Sequence, residues 1–440
     1  MRAILLLVSG SLLAQQEPVI RLDVQQVVVP VVVTDKKGRP VSGLHASDFQ
    51  IYEDGVRQDI AAFSSDTAGS VDDIGALSKS AAAGPSGSRR TFVICIDTLH
   101  TAPASAARVR AALETLFEKE KPSDAQYVLI GIGRQMQVLQ AATANPLAIL
   151  LKIRGPGFQA SMGGLDASAL AAELSNLRTR MDDFCKRCAC GTKPNQRACD
   201  SEVDALKQNV DGEAARWNAP ADAMLEQFRS VVEELGKIPT GRTLILVSDG
   251  FSLNPAHEFY AEVAAYLPQS ARFKVDDAKD EKPGLREALK IAADRNIAIY
   301  AIDSRGGAAP SLASTGALDA GASTPSGGLD GISSRLSGIR AVRTTTLQNS
   351  AGSQSLATLA DSATMEQMAR ESGGVYFHDA NDILKGFRGA LAEGREYYVL
   401  AYVPKNGAQD GKFRRITVET SDRRLSLRAK SGYWAAGPAQ

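Results

Sequence analysis

The chain has 440 residues, of which 50 are basic and 50 are acidic, so its formal net charge is zero. That length exceeds what a single hydrophobic core normally supports and predicts roughly two to three domains. Because the charges cancel, composition excludes a global electrostatic attraction to nucleic acid or to an anionic membrane, and partners have to be inferred from local features.

The N-terminus has the pattern of a secretory signal. MRAILLLVSGSLLAQQ contains one arginine, then an apolar run of about a dozen residues, then a small residue, Ala14, before polar sequence. The apolar run is too short to span a bilayer. We therefore predict a signal peptide over residues 1–14, export to the periplasm or the extracellular space, and no transmembrane segment in the mature chain. The alternative is a buried N-terminal strand.

Residues 19–64 are predicted to form about four β-strands. VIRLDVQQVVVPVVVTD is rich in β-branched residues, and Asp54-Gly55 is a hairpin signal between two alternating stretches. Pro30 inside the first run favours an edge position or a break, because proline has no N–H to donate to a strand ladder. Residues 65–90 are rich in Ser, Gly and Ala and poor in large apolar residues, which predicts a linker and a domain boundary.

Residues 91–395 alternate short apolar runs with helical segments. The runs TFVICID, YVLIGIG, RTLILVSDG and IAIYAID have the pattern of strands that are buried on both faces of a parallel sheet. We therefore predict a doubly wound α/β domain with a mainly parallel sheet. Two segments interrupt the alternation: a helical insertion over 166–235 that contains cysteines, and a Gly/Ser-rich loop over 304–352.

Residues 396–436 return to a strand pattern. EYYVLAYVPK, FRRITVET and LSLRAKSGYW are candidate strands joined by polar turns. The strands at each end of the chain would leave an apolar sheet face uncovered, and antiparallel sheets commonly solve that by packing on another layer. We infer one β-sandwich assembled from both ends of the chain, with the α/β domain inserted between them.

The stretch ICIDTLHT ends a predicted strand with a lone aspartate. In doubly wound folds ligands bind at the carboxyl ends of the strands, where Asp97 and, after a later strand, Asp249 fall. An aspartate followed by hydroxyls two and four residues later suits a hard cation, but Leu99 occupies the first of these positions and only Thr101 supplies a hydroxyl. The alternative is that Asp97 and Thr101 cap a helix that begins near Pro103.

Three motifs of the α/β region together resemble a von Willebrand factor type A domain: VICIDTLHT as the first strand and its loop, and TLILVSDGF and IAIYAID as later strands. The flanking segments VPVVVTDKKGRPVSGLHASDFQIYEDGVRQDI and YYVLAYVPKNGAQDGKFRRITV resemble those of exported bacterial proteins with such a domain, a group abundant in acidobacteria. The resemblance covers most of the mature chain except the cysteine-containing insertion and the Gly/Ser-rich loop.

The resemblance implies a surface site for Mg²⁺ or Mn²⁺. In this family a DxSxS loop, a threonine from a second loop and an aspartate from a third hold the cation, and an acidic side chain of a partner protein completes the coordination. Residue by residue, Asp97 matches the first aspartate, Thr101 the second hydroxyl and Asp249 the third-loop aspartate. Leu99 departs from the motif, and no residue matches the second-loop threonine. The expectation is a weak or remnant metal site and a protein partner.

Four cysteines in the predicted insertion have the spacing C-x2-C-x-C-x8-C: Cys185, Cys188, Cys190 and Cys199. In an exported chain this pattern predicts two disulfides, with three possible connectivities, and the alternative is zinc or an iron–sulfur cluster. CKRC lacks the strand-then-helix setting of a thioredoxin-type redox site. Cys95, in an apolar strand, is predicted to be a buried free thiol, and His100 is an alternative ligand for zinc.

The sequence contains no legible Ser-His-Asp or Cys-His arrangement. We therefore predict a protein-binding module without enzymatic activity, serving adhesion or envelope assembly, with recognition at the carboxyl end of the α/β sheet. Two alternatives stay open. One is a metal- or thiol-dependent enzyme that uses the loop from Cys185 to Cys199. The other is a structural subunit of an envelope assembly whose metal site has decayed.

Overall fold

The computed structural model describes residues 26–66, 90–122, 125–160, 162, 167–188, 196–238, 242–254, 256–267, 270–273, 282–305, 362–378 and 383–437. The predicted signal peptide over 1–14 lies outside these residues, as do 67–89 of the predicted linker and 306–352 of the predicted Gly/Ser-rich loop. None of the helices within the described ranges is both long enough and apolar enough to cross a membrane.

The described part of the chain contains fourteen strands. In chain order they are β1 (Val27–Thr34), β2 (Phe49–Glu53), β3 (Val56–Gln58), β4 (Ile60–Asp66), β5 (Arg90–Asp97), β6 (Ala125–Ile132), β7 (Gln137–Thr143), β8 (Arg242–Ser248), β9 (Ala298–Asp303), β10 (Tyr376–Phe377), β11 (Tyr397–Tyr402), β12 (Phe413–Thr420), β13 (Ser426–Ala429) and β14 (Gly432–Trp434). The first four and the last four belong to antiparallel sheets, and the six between them form a sheet of their own.

Nine α-helices lie within the same described ranges. They are α1 (Pro103–Thr115), α2 (Pro146–Arg154), α3 (Pro156–Ala160), α4 (Ala167–Cys188), α5 (Gln196–Gly236), α6 (His257–Tyr266), α7 (Pro283–Asp294), α8 (362–372) and α9 (Ile383–Glu393). Helices α1, α2 and α7 each begin with a proline. A proline suits that position because the first N–H groups of a helix have no intrahelical acceptor.

The six-stranded sheet has the order β10-β9-β8-β5-β6-β7. Strands β10, β9, β8, β5 and β6 run parallel, and β7 pairs antiparallel with β6 at one edge. The prediction of an α/β fold with a mainly parallel sheet is confirmed at this level. The sequence pattern does not predict β7, because most side chains of QVLQAAT are at least partly exposed and show no apolar alternation.

Helices cover both faces of this sheet, so its strands are buried on both sides. Phe92, Ile94 and Ile96 of β5 face a cluster that includes side chains of α1, α2 and α9. Val93 and Cys95 face the opposite cluster, to which α5, α7 and α8 contribute. This two-sided burial explains the continuous apolar runs of the sequence. Cys95 is a buried free thiol, which confirms its prediction.

Strands from the two ends of the chain are interleaved in the antiparallel sheets. One sheet has the order β13-β1-β11-β4 and the other the order β14-β12-β2-β3. Pro30 of β1 pairs with Val399 of β11, whereas β13 pairs with β1 only from Val31 onward. Among the described residues, one side of β1 therefore has no neighbouring strand at Pro30, a local edge that suits a residue without an N–H. The run LSLRAKSGYW forms two strands, which belong to different sheets.

One hydrophobic cluster contains side chains of both antiparallel sheets. The ring of Phe49 on β2 lies 5.3 Å from that of Tyr398 on β11, measured between centroids. The buried carboxylate of Glu53 on β2 accepts hydrogen bonds from the hydroxyls of Tyr402 (2.7 Å), on β11, and Tyr433 (3.1 Å), on β14. Because β11 belongs to one sheet and β2 and β14 to the other, this carboxylate links the two sheets. A hydrogen bond to a charged acceptor stabilises by roughly 1.5–3 kcal/mol.

The turn between β13 and β14 joins the antiparallel sheets to the α/β part. Lys430 Nζ donates to the carbonyl of Ala293 (2.8 Å), in α7, and to Oδ1 of Asn296 (2.9 Å). Burial lowers the pKa of Lys430 to about 8, and the charge of Asp294 only partly opposes that shift. Gly373 lies against the same turn: its φ is +84°, and an added Cβ would be 2.8 Å from the nitrogen of Lys430. Only glycine suits that position.

The predicted helical insertion contributes α4 and residues 196–219 of α5 to what we call the helical arm, which also contains α6, outside the predicted range 166–235. These helices share a hydrophobic cluster that includes Leu177, Val210 and Phe259. Pro220 lies inside α5, and beyond it the helix changes partners, because Phe228 packs on the six-stranded sheet. One helix therefore belongs to both the arm and the cover of the sheet.

The helical arm extends past the carboxyl ends of the parallel strands. Gln227 Oε1 accepts from the N–H of Gly133 (3.1 Å), which directly follows β6. Helix α5 runs from there towards the beginning of β8, so its earlier residues lie beyond the sheet. Asn218 Oδ1 accepts from the N–H of Ala256 (3.1 Å), at the start of α6, which fixes α6 to the same arm.

Deleting residues 396–440 should expose the N-terminal strands to protease. The deletion removes β11, which separates β1 from β4, and β12, which pairs with β2. Limited proteolysis should then cleave within residues 26–66 at a protease concentration that leaves the full chain intact. Deletion of residues 438–440 alone is the control. Protection of residues 26–66 in the longer deletion would contradict the dependence of the N-terminal strands on the C-terminal ones.

Because of Lys430, the free energy of unfolding should rise with pH between about pH 8 and pH 10. In this window the unfolded chain keeps a proton on Lys430 that the folded chain has released, so the free energy of unfolding rises with pH by up to ~1.4 kcal/mol per unit. Below about pH 8 both states are protonated and this contribution does not change with pH. Urea titrations measure this free energy of unfolding. Between pH 7.5 and 9.5 it should increase by about 1.5–2 kcal/mol more in the wild type than in Lys430→Met. Parallel pH profiles would contradict the burial of this amine.

Candidate functional site

Asp97, Thr101 and Asp249 meet at the carboxyl ends of the parallel strands. Asp97 is the last residue of β5, Asp249 directly follows β8, and these two strands are neighbours in the sheet. Thr101 lies in the loop from β5 to α1. Asp249 Oδ2 holds that loop by accepting from the N–H of Ala102 (2.9 Å). The structure therefore places the three predicted site residues together.

The carboxylate of Asp97 is fully buried and engaged by four donors. Oδ1 accepts from the backbone N–H groups of Leu99 (2.9 Å) and His100 (3.0 Å). Oδ2 accepts from the hydroxyl of Ser248 (2.6 Å) and lies 2.9 Å from Nδ1 of His100. A carboxylate offers about four lone-pair positions. All the acceptor positions of Asp97 are therefore used inside the protein.

The surroundings of Asp97 favour its ionised form. Burial by itself would raise the pKa of Asp97, but the adjacent His100 and the hydrogen bonds from His100 and Ser248 outweigh burial and hold the pKa below its usual range. The pKa of the nearby thiol of Cys95 is shifted upward instead. Burial and the charge of Asp97 both raise the pKa of Cys95, far above its usual range. Cys95 is therefore a protonated and unreactive thiol.

Asp249 joins three loops at this end of the sheet. Besides the N–H of Ala102, its Oδ2 accepts from the hydroxyl of Ser105 (2.9 Å), in the first turn of α1. Its Oδ1 accepts from the hydroxyl of Ser304 (2.7 Å), which follows β9. A carboxylate at a helix N-terminus is favoured by the helix dipole. One acceptor position of Asp249 remains after these three hydrogen bonds.

The alternative interpretation, that Asp97 and Thr101 cap helix α1, is wrong. Ala102 is the N-cap residue of α1, and no side chain caps the helix from that position. The carboxylate of Asp97 instead accepts hydrogen bonds from its own turn and from Ser248 on the neighbouring strand. Thr101 is fully buried, and its Oγ1 has no hydrogen-bond partner among the described residues. The helix start is stabilised by Asp249, which belongs to another loop.

The donors that remain do not fit Mg²⁺ or Mn²⁺ as they stand. Leu99 is 1% exposed and packs in the hydrophobic cluster of the sheet, so it neither coordinates nor faces the loop centre. Only Thr101 Oγ1 and one position on Asp249 are open, whereas Mg²⁺ takes six oxygen ligands in near-octahedral geometry. Within the described ranges, no group of three or more His, Cys, Asp or Glu side chains could hold a metal ion. A cation at Asp97 would have to displace His100 or Ser248.

Three serines that donate to the two aspartates were not predicted from the sequence: Ser105, Ser248 and Ser304. Ser248 and Ser304 share a signal that could have identified them, since each lies at the carboxyl end of a parallel strand. Arg108 closes the same side of the site by donating through Nη2 to the carbonyl of Ser304 (2.8 Å). Ser105, one turn before Arg108 in α1, has no comparable signal in the sequence.

The cysteines of the insertion lie in the helical arm, away from the strand ends. Cys188, at the end of α4, and Cys199, at the beginning of α5, form a disulfide with 5.9 Å between their Cα atoms. Cys185 is also disulfide-bonded, and Cys190 lies outside the described residues. Oxidation at this position agrees with the disulfide prediction. Zinc cannot use Cys188 and Cys199 in this state, because metal binding needs free thiolates.

The chain matches no protein-family model and no curated protein. Its interpretation therefore depends on the geometry of the strand ends and of the helical arm. The resemblance to a type A domain stays a prediction.

Removing the disulfide should loosen the helical arm and leave the sheet intact. Cys188 and Cys199 are separated by 11 residues, and closing so short a loop stabilises by roughly 2–3 kcal/mol. In Cys188→Ser/Cys199→Ser we expect trypsin to cut α4 or the first part of α5 before any other described segment. Cys95→Ala, which removes a thiol but no disulfide, is the matched control. Equal cleavage of the arm in both variants would contradict a stabilising role of the disulfide.

Proposed function

We propose that the chain is an exported protein-binding module with a type A-like α/β domain, serving adhesion or envelope assembly. The observation that carries the proposal is the meeting of Asp97, Thr101 and Asp249 at the carboxyl ends of adjacent parallel strands. Ligands of doubly wound sheets bind at this edge. We call it the recognition face: the described residues of the loops that follow β5, β6, β8 and β9, which after β9 are Ser304 and Arg305. The proposed partner is a protein.

The strand arrangement supports the type A-like part of the proposal. Five parallel strands with one antiparallel strand at the edge, and helices on both faces, provide a rigid platform for loops at one end. The interleaved antiparallel sheets, with one hydrophobic cluster common to both, support the interpretation that both ends of the chain build one β-sandwich. In this proposal the sandwich is a support and the recognition face is the functional part.

Two independent features support export. One is the signal-like pattern of residues 1–14. The other is the disulfide between Cys188 and Cys199, because disulfides form and persist in oxidising compartments and are rare in the cytosol. Together they favour a periplasmic or extracellular location.

We also propose that any Mg²⁺ or Mn²⁺ bound at Asp97, Thr101 and Asp249 is held weakly. Binding there requires that one of the four donors to Asp97 leave, and the free energy of that lost hydrogen bond is subtracted from the metal affinity. The chemistry that a bound cation would supply is the coordination of an acidic partner side chain. The protein residues orient the loops whether or not the cation is present.

A second candidate is a thiol-dependent enzyme built on the cysteines of the arm. The observation that favours it is the carboxylate of Glu202, whose Oε2 lies 3.6 Å from Sγ of Cys188 and could accept a proton from a thiol. The same carboxylate would disfavour a thiolate there through its negative charge. Cys188 is also only 6% exposed. Reduction followed by thiol titration across pH would identify a reactive cysteine if this candidate were right.

The binding proposal can be tested by altering exposed residues of the recognition face. Arg134 follows β6, is exposed, and makes no hydrogen bond or ion pair within the described part of the chain. Arg134→Glu should therefore fold normally and reduce capture of the partner from a native envelope fraction at least several-fold. Arg423→Glu, a charge reversal at another exposed arginine, in the turn between β12 and β13, should capture it like the wild type.

The capture is repeated with EDTA, which should change little if the bound metal is weak. A partner captured equally by Arg134→Glu, Arg423→Glu and the wild type would contradict recognition at this face. Loss of the partner only in Arg423→Glu would move the binding surface to the antiparallel sheets.

A further inference from the structure

The imidazole of His100 occupies the one side of Asp97 that the other donors leave open. Its Nδ1 lies 2.9 Å from Asp97 Oδ2, and the ring is mostly buried, with 14% of the side chain exposed. The ring also stacks on Phe251, with 5.5 Å between centroids and 26° between planes. Contacts from two different loops therefore hold the imidazole in place.

The backbone of the loop explains why His100 points to Asp97. Leu99 turns inward and is buried in the hydrophobic cluster of the sheet. The N–H groups of Leu99 and His100 both donate to Asp97 Oδ1, which closes a tight turn on the carboxylate. With Leu99 anchored in the core, the next side chain, that of His100, reaches the second carboxylate oxygen, Oδ2. The residue that departs from the metal motif thus positions the histidine.

We propose that the imidazole of His100 occupies the position of a divalent cation beside Asp97, so that the recognition face is organised by this internal N–H donor. His100 does what a cation would do for Asp97: it satisfies Oδ2 and holds the loop from β5 to α1 against the loop after β8. Asp97 and Ser248 then need no metal to keep their arrangement. This inference deepens the proposed function. It rests on that function only for the statement that these loops bind a partner.

The proposal assigns different roles to the remaining oxygens. Thr101 Oγ1 has no partner among the described residues, and Asp249 retains one acceptor position. These two oxygens alone make a poor site for Mn²⁺. Removal of the imidazole would add Asp97 Oδ2 as a third oxygen and leave room for water ligands. His100 is therefore the residue whose loss should create a metal site.

The test is a Mn²⁺ titration of the full chain. Binding is measured by calorimetry and by the electron paramagnetic resonance signal of free Mn²⁺. We expect His100→Ala to bind one Mn²⁺ at least about tenfold more tightly than the wild type, because a carboxylate oxygen becomes available. His100→Asn, whose side-chain amide N–H lies as many bonds from Cβ as Nδ1 of the imidazole, should fall between them. Leu99→Ser is a poor first variant, since it removes a buried side chain from the core.

His45→Ala is the matched control, because His45 is an exposed histidine far along the chain from the site. It should bind Mn²⁺ like the wild type, and His100→Ala/Asp97→Ala should lose the gained affinity. Equal isotherms for the wild type and His100→Ala, with unchanged melting temperatures, would overturn the proposal. Tighter binding by the wild type would also overturn it, since His100 would then be a ligand. Partner capture is a separate measurement, so either idea can fail alone.

Discussion

Hydrogen bonding between β1 and β11 brings the two ends of the chain together, and the rest of the structure is arranged around that pairing. The hydroxyl of Tyr398 donates to the carbonyl of Val41, 357 residues earlier in the sequence. The chain between these ends has to leave and return at one place. It does so where Nη1 of Arg90, at the start of β5, donates to the carbonyl of Gly394 (2.7 Å), just after α9. The α/β part is thus held at its entrance and exit, and Lys430 adds a third attachment.

At the other end of the α/β part, the arrangement is set by a buried charge. A desolvated carboxylate is costly unless donors surround it, so the loops after β5 and β8 are folded onto Asp97. Asp249 has the same effect at the end of the neighbouring strand of the sheet, β8, and connects α1 to the loop after β9. The result is a face whose loops are cross-connected by side chains. In the proposed binding function, such a face would present a defined shape to a partner, which would lower the ordering cost of binding.

The sequence predicts those parts of the fold that depend on local pattern. Continuous apolar runs identify β5, β8 and β9, and the strand-end rule identifies Asp97 and Asp249. The orientation of His100 could not be predicted, because it depends on Phe251, which is distant in sequence. The capping hypothesis failed for a similar reason: Asp97 found its donors within its own turn and across the sheet. The division of LSLRAKSGYW between two sheets also follows from tertiary contacts alone.

The burial of Cys95 in the central strand bears on how the disulfides are chosen. With five cysteines in the chain, two disulfides can form in about fifteen ways, against three if one thiol is withheld. Strand β5 withholds that thiol sterically, and burial also raises its pKa, so it cannot act as a thiolate in exchange. Once the six-stranded sheet has formed, Cys95 therefore no longer competes for disulfides with the cysteines of the helical arm. A folding defect in the sheet that exposes Cys95 would allow mispaired disulfides to form in the arm.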